Sequence, residues 1–354
     1  MFFHYCKFFF SPLFIASIGC GVYVGGTLGL FILLALQFFI IFGELFFGDD
    51  TSTPQYKHPW ILDLALFINV PLFFCVLFLF LNNNPTWSPA LIVYIPLLGL
   101  AMATAFINVG HELVHRTSKK FDCEVGNWAL AAAWNPAFAI EHVYGHHKNV
   151  GIVEEDPVTA KANENPILFA IKAFFREHTH AWGIESRQLK RRKQNIISLR
   201  NRLLVGYMRT ALIFCFIYTF FGPFSVLLYF LTGMGANYIF QMTNFIEHYG
   251  LVRIKGKPIL HHHSWNSNNR MTTYLTYNLT RHSDHHVNAK KEFWELNPCL
   301  DDGISLPSGY LTYMVLFTFV PFLARKKMHP RLKRWYFEYA SDEEKALTDS
   351  YQYF

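Results

Sequence analysis

The sequence predicts an all-α integral membrane protein, with six transmembrane helices and a histidine-rich region on the cytoplasmic side. Three observations lead there. Of the 354 residues, 52% are hydrophobic and only 16% charged, against about 25% charged in a soluble domain. The apolar residues gather into six runs, 8–24, 28–47, 60–81, 89–110, 203–221 and 224–245, each near or above the roughly 20 residues that span a bilayer as a helix. The third observation is the placement of charge. If the runs cross in turn, residues 1–7, 48–59, 111–202 and 246–354 share one side and hold 30 of the 31 Lys and Arg.

Each element follows from these patterns. The runs lack the period-two alternation of barrel strands, and helices satisfy their own backbone groups in lipid. Lys7 precedes the first run, but Gly25 and Gly26 lead straight into the second. That pair is expected to turn a helical hairpin rather than mark a cleavage site. The short loops 25–27, 82–88 and 222–223 carry no Lys or Arg, and Arg209 lies within the fifth run near its start. Positive residues mark the cytoplasmic side, so termini and large loops are expected there, in a multi-pass protein of the cell inner membrane. Topology and contact with membrane lipid account for the basic residues, and no nucleic-acid partner is expected.

The chain therefore divides into membrane helices 1–4 (1–110), a cytoplasmic region (111–202), helices 5 and 6 (203–245) and a cytoplasmic tail (246–354), forming one functional unit. Within the tail, the apolar stretch 311–323 is too short to cross and is expected to be buried or interfacial. Pro157, in Glu154-Glu155-Asp156-Pro157, is expected to break the chain after a short helix. The six cysteines contain no Cys-x-x-Cys pair. They read as free thiols, with no built-in cysteine-ligated redox centre.

The histidines carry the chemistry. His111 and His115 stand in HELVH, His142, His146 and His147 in EHVYGHH, His248 in NFIEHYGL, and His282, His285 and His286 in RHSDHH. Spacings of three and four put side chains on one helix face, so each cluster is expected to aim its imidazoles at a common point. HELVH alone is the His-Glu-x-x-His signature of a zinc protease. Nine candidate ligands are too many for one catalytic zinc, and they suit two metal ions. Imidazole serves zinc, copper, iron and nickel alike, so ligand type does not choose the metal. Glu112, Glu141, Glu247 and Asp284 flank the ligands and are expected to accept N–H groups from their far sides. His4, His58, His178, His180 and His329 are assigned to the surface or membrane interface, and His261, His262 and His263 to a loop.

HELVHR, EHVYGHH, NFIEHYGL and LTRHSDHH, with HSWNS at 263–267 and LPSGY at 306–310, resemble in order and spacing the motifs of the membrane alkane 1-monooxygenase family. The histidine framework by itself is shared with membrane desaturases, whereas NFIEHYGL together with RHSDHH is more specific. The resemblance spans roughly residues 60–330. Phe245 stands where the family often has Tyr, and Thr280 where it often has Gln. The resemblance implies a non-haem di-iron centre with two Fe ions and insertion of one atom of O2 into the terminal methyl of an alkane. It further implies electrons from rubredoxin and its NAD(P)H-dependent reductase. An unactivated C–H bond needs such a redox metal, which zinc is not. A desaturase, a fatty-acid or aryl-methyl hydroxylase, and an intramembrane zinc protease are the alternatives. Trp60, Phe67, Leu98 and Met102 are candidate walls of an apolar channel. The basic runs Arg187–Lys193 and Arg325–Lys327 are candidate contacts for an acidic electron carrier.

Overall fold

The computed structural model describes residues 1–353, which are mainly helical. Four helices open the chain: α1 (Phe2–Val24), α2 (Gly26–Phe46), α3 (Trp60–Asn83) and α4 (Leu91–His115). After α5 (Lys120–Ala132) and α6 (Pro166–Arg191) comes α7 (Arg202–His248). Helices α1–α4 and α7 are long and apolar enough to cross a bilayer. The apolar side chains of Phe31, Phe38, Ile92, Leu212 and Phe220 stand exposed on their outer faces, as expected where acyl chains replace water. The protein is a multi-pass membrane protein.

At 47 residues, a straight α7 would run roughly 70 Å, more than twice the roughly 30 Å hydrocarbon core. It does not run straight. Gly222 has φ 83° and ψ 177°, ahead of Pro223, and the chain folds back there. The rings of Phe214 and Tyr229, on opposite sides of the bend, lie 4.8 Å apart. Gly25 makes the same turn between α1 and α2, with φ 62° and ψ −169°. Both positions need a positive φ that a side chain disfavours.

Close backbone contact knits the bundle. Gly99 of α4 lies against Gly235 of α7, so that a Cβ on Gly99 would stand 3.2 Å from the Gly235 Cα. Small residues at such crossings let membrane helices approach closely. Trp134 follows α5 with φ 46°; its ring stacks on Phe230 and meets Phe214 edge-on, at 4.9 and 6.1 Å. The indole thus wedges between both legs of α7. Lys7 and Asp50 form a buried ion pair at 2.8 Å, tying α1 to the α2–α3 loop.

The C-terminal ends of α4 and α7 carry His115 and His248 to the same end of the bundle, where the polar segments gather. Further short elements include α8 (His282–Val287), α9 (Tyr310–Phe319) and a parallel pairing of Trp265–Asn266 with Ile304–Ser305. The apolar stretch 311–323 is thus one short helix followed by a second beginning at Pro321, and α9 packs its Tyr310, Tyr313 and Phe317 side chains into the core.

Candidate metal centre

Four segments converge on the site. α4 contributes its last turn. Phe138–Glu141 continues through a π-helical turn, His142–His146, into His147–Asn149. His248 closes α7. The short α8 is held from behind: Arg281, fully buried, donates to the carbonyls of Leu296, Asp50 and Ser52, and the Ser283 hydroxyl donates to the Ser264 carbonyl at 2.9 Å. The HSWNS and LPSGY stretches also brace one another, since the Trp265 indole donates to the Tyr249 carbonyl and the Tyr310 hydroxyl to the Trp265 carbonyl.

All nine sequence-predicted histidines come together, in two sets. His111, His115, His142, His147 and His285 form one; His146, His248, His282 and His286 form the other. Their Nε2 atoms face each other. His111 and His285 stand 2.8 Å apart, His142 and His147 3.0 Å, and His147 and His285 3.1 Å. In the second set His282 and His286 are 2.9 Å apart, His146 and His286 3.2 Å, and His248 and His282 3.3 Å. Two nitrogens each about 2.1 Å from one ion, at right angles, would be separated by about 3.0 Å. The observed spacings match the edges of such a polyhedron, so the donor set fits one cation in each group.

The sets do not follow the sequence clusters. His142 shares its set with His147, five residues on, because the π-helical turn brings i and i+5 together. His146 is left to face the other set. In α8, His282 and His286 go one way and His285 the other. The expectation that each cluster serves one point holds only for HELVH.

Burial, and then the neighbouring rings, push His142, His147, His282 and His286 well below the ordinary histidine range. A neutral imidazole is the form that binds metal. His146 differs. Burial opposes its charge too, but Asp156 outweighs that and raises its pKa, while the Asp156 carboxyl is held low against its own burial. The Nδ1 of His146 lies 3.0 Å from both Asp156 oxygens. Such a carboxylate fixes the tautomer and leaves the Nε2 lone pair for a cation.

Of the four flanking acids, Glu247 stands behind a ligand candidate, with Oε1 3.3 Å from His282 Nδ1. The other three face elsewhere. Glu112 pairs with Arg116 at 3.0 Å, Glu141 with His180 at 3.0 Å, and Asp284 with Lys291 at 2.7 Å. Their partners are Arg116, His180 and Lys291 rather than any of the nine clustered imidazoles. Asp156 performs the role expected of them, and the only sequence signal was an acid in a segment read as a chain break. Asp156→Asn should therefore lower metal affinity or activity about 10- to 100-fold; iron retention under a chelator series measures it. His263 pairs with Glu344 and His261 with Asp302, outside both sets.

An apolar chamber opens beneath the rings, with His111, His142 and His282 at its head. Ile107, Phe240, Leu275 and Leu279 line its sides, and Thr104, Asn108 and Thr243 add polar groups. The walls expected from sequence lie elsewhere: Trp60 is exposed, Leu98 and Met102 are packed inside the bundle, and Phe67 faces another cluster.

Residues 85–313 match the fatty acid desaturase family model. An alkane 1-monooxygenase 2 of Alcanivorax borkumensis is 34% identical over 72% of this chain and 67% of its own length. An alkane 1-monooxygenase of Pseudomonas putida is 30% identical over 89% and 82%. A xylene/toluene monooxygenase hydroxylase component from Pseudomonas putida is 27% identical over 82% and 79%. With its clustered histidines and apolar helices, the chain belongs to the fatty acid desaturase family and, within it, to the membrane alkane 1-monooxygenases.

Proposed function

We propose that this protein is a di-iron monooxygenase that inserts one atom of O2 into the terminal methyl of a medium- or long-chain alkane, giving a primary alcohol. The observation that carries the reading is the apolar chamber ending directly on the imidazoles of both histidine sets. In this reading the nine histidines hold two Fe ions, which when bound supply the redox chemistry that an unactivated C–H bond requires. The protein's own groups do the rest. Ile107, Phe240, Leu275 and Leu279 hold the chain and keep water from the site, and the closed head of the chamber presents a chain end to the metals rather than a mid-chain methylene. Asp156 orients His146, and Glu247 stands beside His282.

The bend at Gly222 supports six crossings, and the absence of Lys and Arg from the short loops supports cytoplasmic termini and an inner-membrane location. Residues 1–110 and 203–245 then form the membrane part, and 111–202 and 246–354 the metal-bearing part. Electrons are proposed to arrive from rubredoxin on the cytoplasmic face. A polar cleft lined by Lys119, Lys290, Lys291, Arg116 and Glu292 reaches His115 and is a candidate docking point beside the basic runs 187–193 and 325–327. Likeness to a xylene/toluene monooxygenase component keeps aryl-methyl oxidation as the second reading.

Purified protein supplied with iron should hold about two Fe per chain and little zinc. With O2 and reduced rubredoxin it should convert alkanes to 1-alkanols. One zinc and no iron would overturn the assignment, and benzylic alcohols without alkanols would select the second reading.

A further inference from the structure

Behind α8 lies a second kind of donor cluster, built on the histidine run 261–263. His263 is already committed to the fold. Its Nδ1 accepts the Leu260 N–H at 2.9 Å, which places the ring proton on Nε2, and Nε2 donates to Glu344 at 2.9 Å. His261 has different company. Its Nδ1 lies 2.6 Å from Asp302 Oδ2, and its Nε2 lies 3.4 Å from Oδ1 of the buried Asp284. One donor atom each of His261, Cys299 and Asp302 falls within 4.8 Å of the other two. Cys299 is buried, whereas the Asp302 side chain is 63% exposed, so the trio has a closed sulfur side and a face open to water.

The loop that carries Cys299 and Asp302 is anchored on both sides of the cysteine. The Asn266 and Asn268 side chains donate to the Pro298 carbonyl at 2.7 and 3.1 Å, and the Asn297 N–H donates to Asp284 at 2.8 Å. Cys299 itself takes φ 48°, and a Cβ on Gly303 would stand 2.7 Å from the Cys299 carbonyl oxygen, so the turn 299–303 is tightly closed. Burial pushes the Cys299 thiol up to about 12, and Asp284 and Asp302 add to that. A divalent cation reverses this balance, since a coordinating thiol gives up its proton.

We propose that His261, Cys299 and Asp302 form an exchangeable site for a borderline-soft divalent cation of the zinc or cobalt kind, separate from the nine-histidine centre. Imidazole, thiolate and carboxylate are all ligands that zinc accepts, and three protein ligands leave the fourth tetrahedral position to water. In such a tetrahedron the donor atoms would stand about 3.3–3.6 Å apart. The trio must therefore close by no more than about 1.5 Å, which the exposed arm of Asp302 can supply. A carboxylate beside Nε2 favours the tautomer that leaves the Nδ1 lone pair for the cation. Binding releases the thiol proton to water and transfers no electrons. Because one face is open, protein prepared without added cation keeps little of it. Residues 264 and 297 both bond to α8 from behind, so a cation joining 261 to 299–302 clamps α8 without giving a ligand to the nine histidines.

The test titrates full-length, iron-loaded protein in detergent with Co2+. A near-ultraviolet thiolate-to-cobalt charge-transfer band should grow in and saturate at about one Co2+ per chain; the histidine sets hold no sulfur and cannot produce it. Zn2+ should abolish the band by competition. Cys299→Ser should remove it at unchanged iron content, and His261→Ala or Asp302→Ala should weaken cobalt binding by at least about 10-fold. Zn2+ at about 100 times its dissociation constant should raise the thermal midpoint of the parent protein but not of Cys299→Ser. No band in the parent protein, or a band that survives Cys299→Ser, would overturn the site. Should Cys299→Ser not fold, zinc-edge X-ray absorption of the zinc-loaded parent protein decides. A sulfur neighbour at about 2.3 Å supports the site, and a shell of nitrogen and oxygen alone overturns it.

Discussion

His285→Ala is expected to abolish hydroxylation and to release metal from the five-histidine set while leaving the other set loaded. His285 sits within 2.8 Å of His111 and 3.1 Å of His147, nitrogen to nitrogen, and no other residue of α8 belongs to that set. A methyl cannot replace a donor nitrogen, and no carboxylate among the described residues belongs to either set to compensate. Iron should fall from about two to about one per chain, with product below detection. His286→Ala should empty the other set instead, and loss of signal from two distinct sites by iron spectroscopy separates the two variants. His178→Ala is the control. Its ring pairs with the Tyr207 hydroxyl at 2.6 Å, outside both sets, and activity should stay within a few-fold of the parent. Full activity and two irons in His285→Ala would mean that the five-histidine set is misassigned.

Gly233→Val should cost stability on a comparable scale to a core disruption. A Cβ at Gly233 would overlap the Trp134 indole, and Trp134 is already fixed between Phe214 and Phe230. Overpacking of this kind costs about 1–3 kcal/mol, and more where neighbours cannot move. Here they cannot move easily, because the Tyr229 hydroxyl and the Asn237 amide bind the carbonyls of Ala132 and Ala133 just before the indole. Four residues beyond Trp134, the chain enters the segment that carries His142, so the strain should reach the metal centre. A lowered thermal midpoint in detergent, with iron lost before the bundle melts, is the expected result. An unchanged midpoint would show that the indole can leave its slot without penalty.

Much of this protein is legible in its sequence because membrane physics leaves few choices. The apolar runs coincide with the long apolar helices, and the two hairpin turns fall at glycines with little else between the runs. The nine histidines were also identifiable, as side chains too numerous and too polar for helix ends in lipid without a shared purpose. Their partition was not legible. Helical spacing of three and four groups His142 with His146, whereas the π-helical turn groups His142 with His147, and nothing in EHVYGHH announces that turn. Second-layer acids were misplaced for a related reason. Glu112, Glu141 and Asp284 are adjacent to histidines along the chain, but consecutive helix residues point in different directions. Asp156 reaches His146 because residues 150–156 loop back, which is a tertiary event. The chamber walls failed as expectations because aromatic and Leu-rich faces look the same in sequence whether they meet lipid, core or cavity.

The bonds that separate His146 from His147 and His285 from His286 have a mechanical meaning. Each of these neighbouring pairs straddles the two sets, so one residue of the pair belongs to each. The interval between the positions is consequently gauged by covalent chain at two independent places, much as a pair of rulers laid side by side fixes a gap. It is written when the polypeptide is synthesised, before anything binds there.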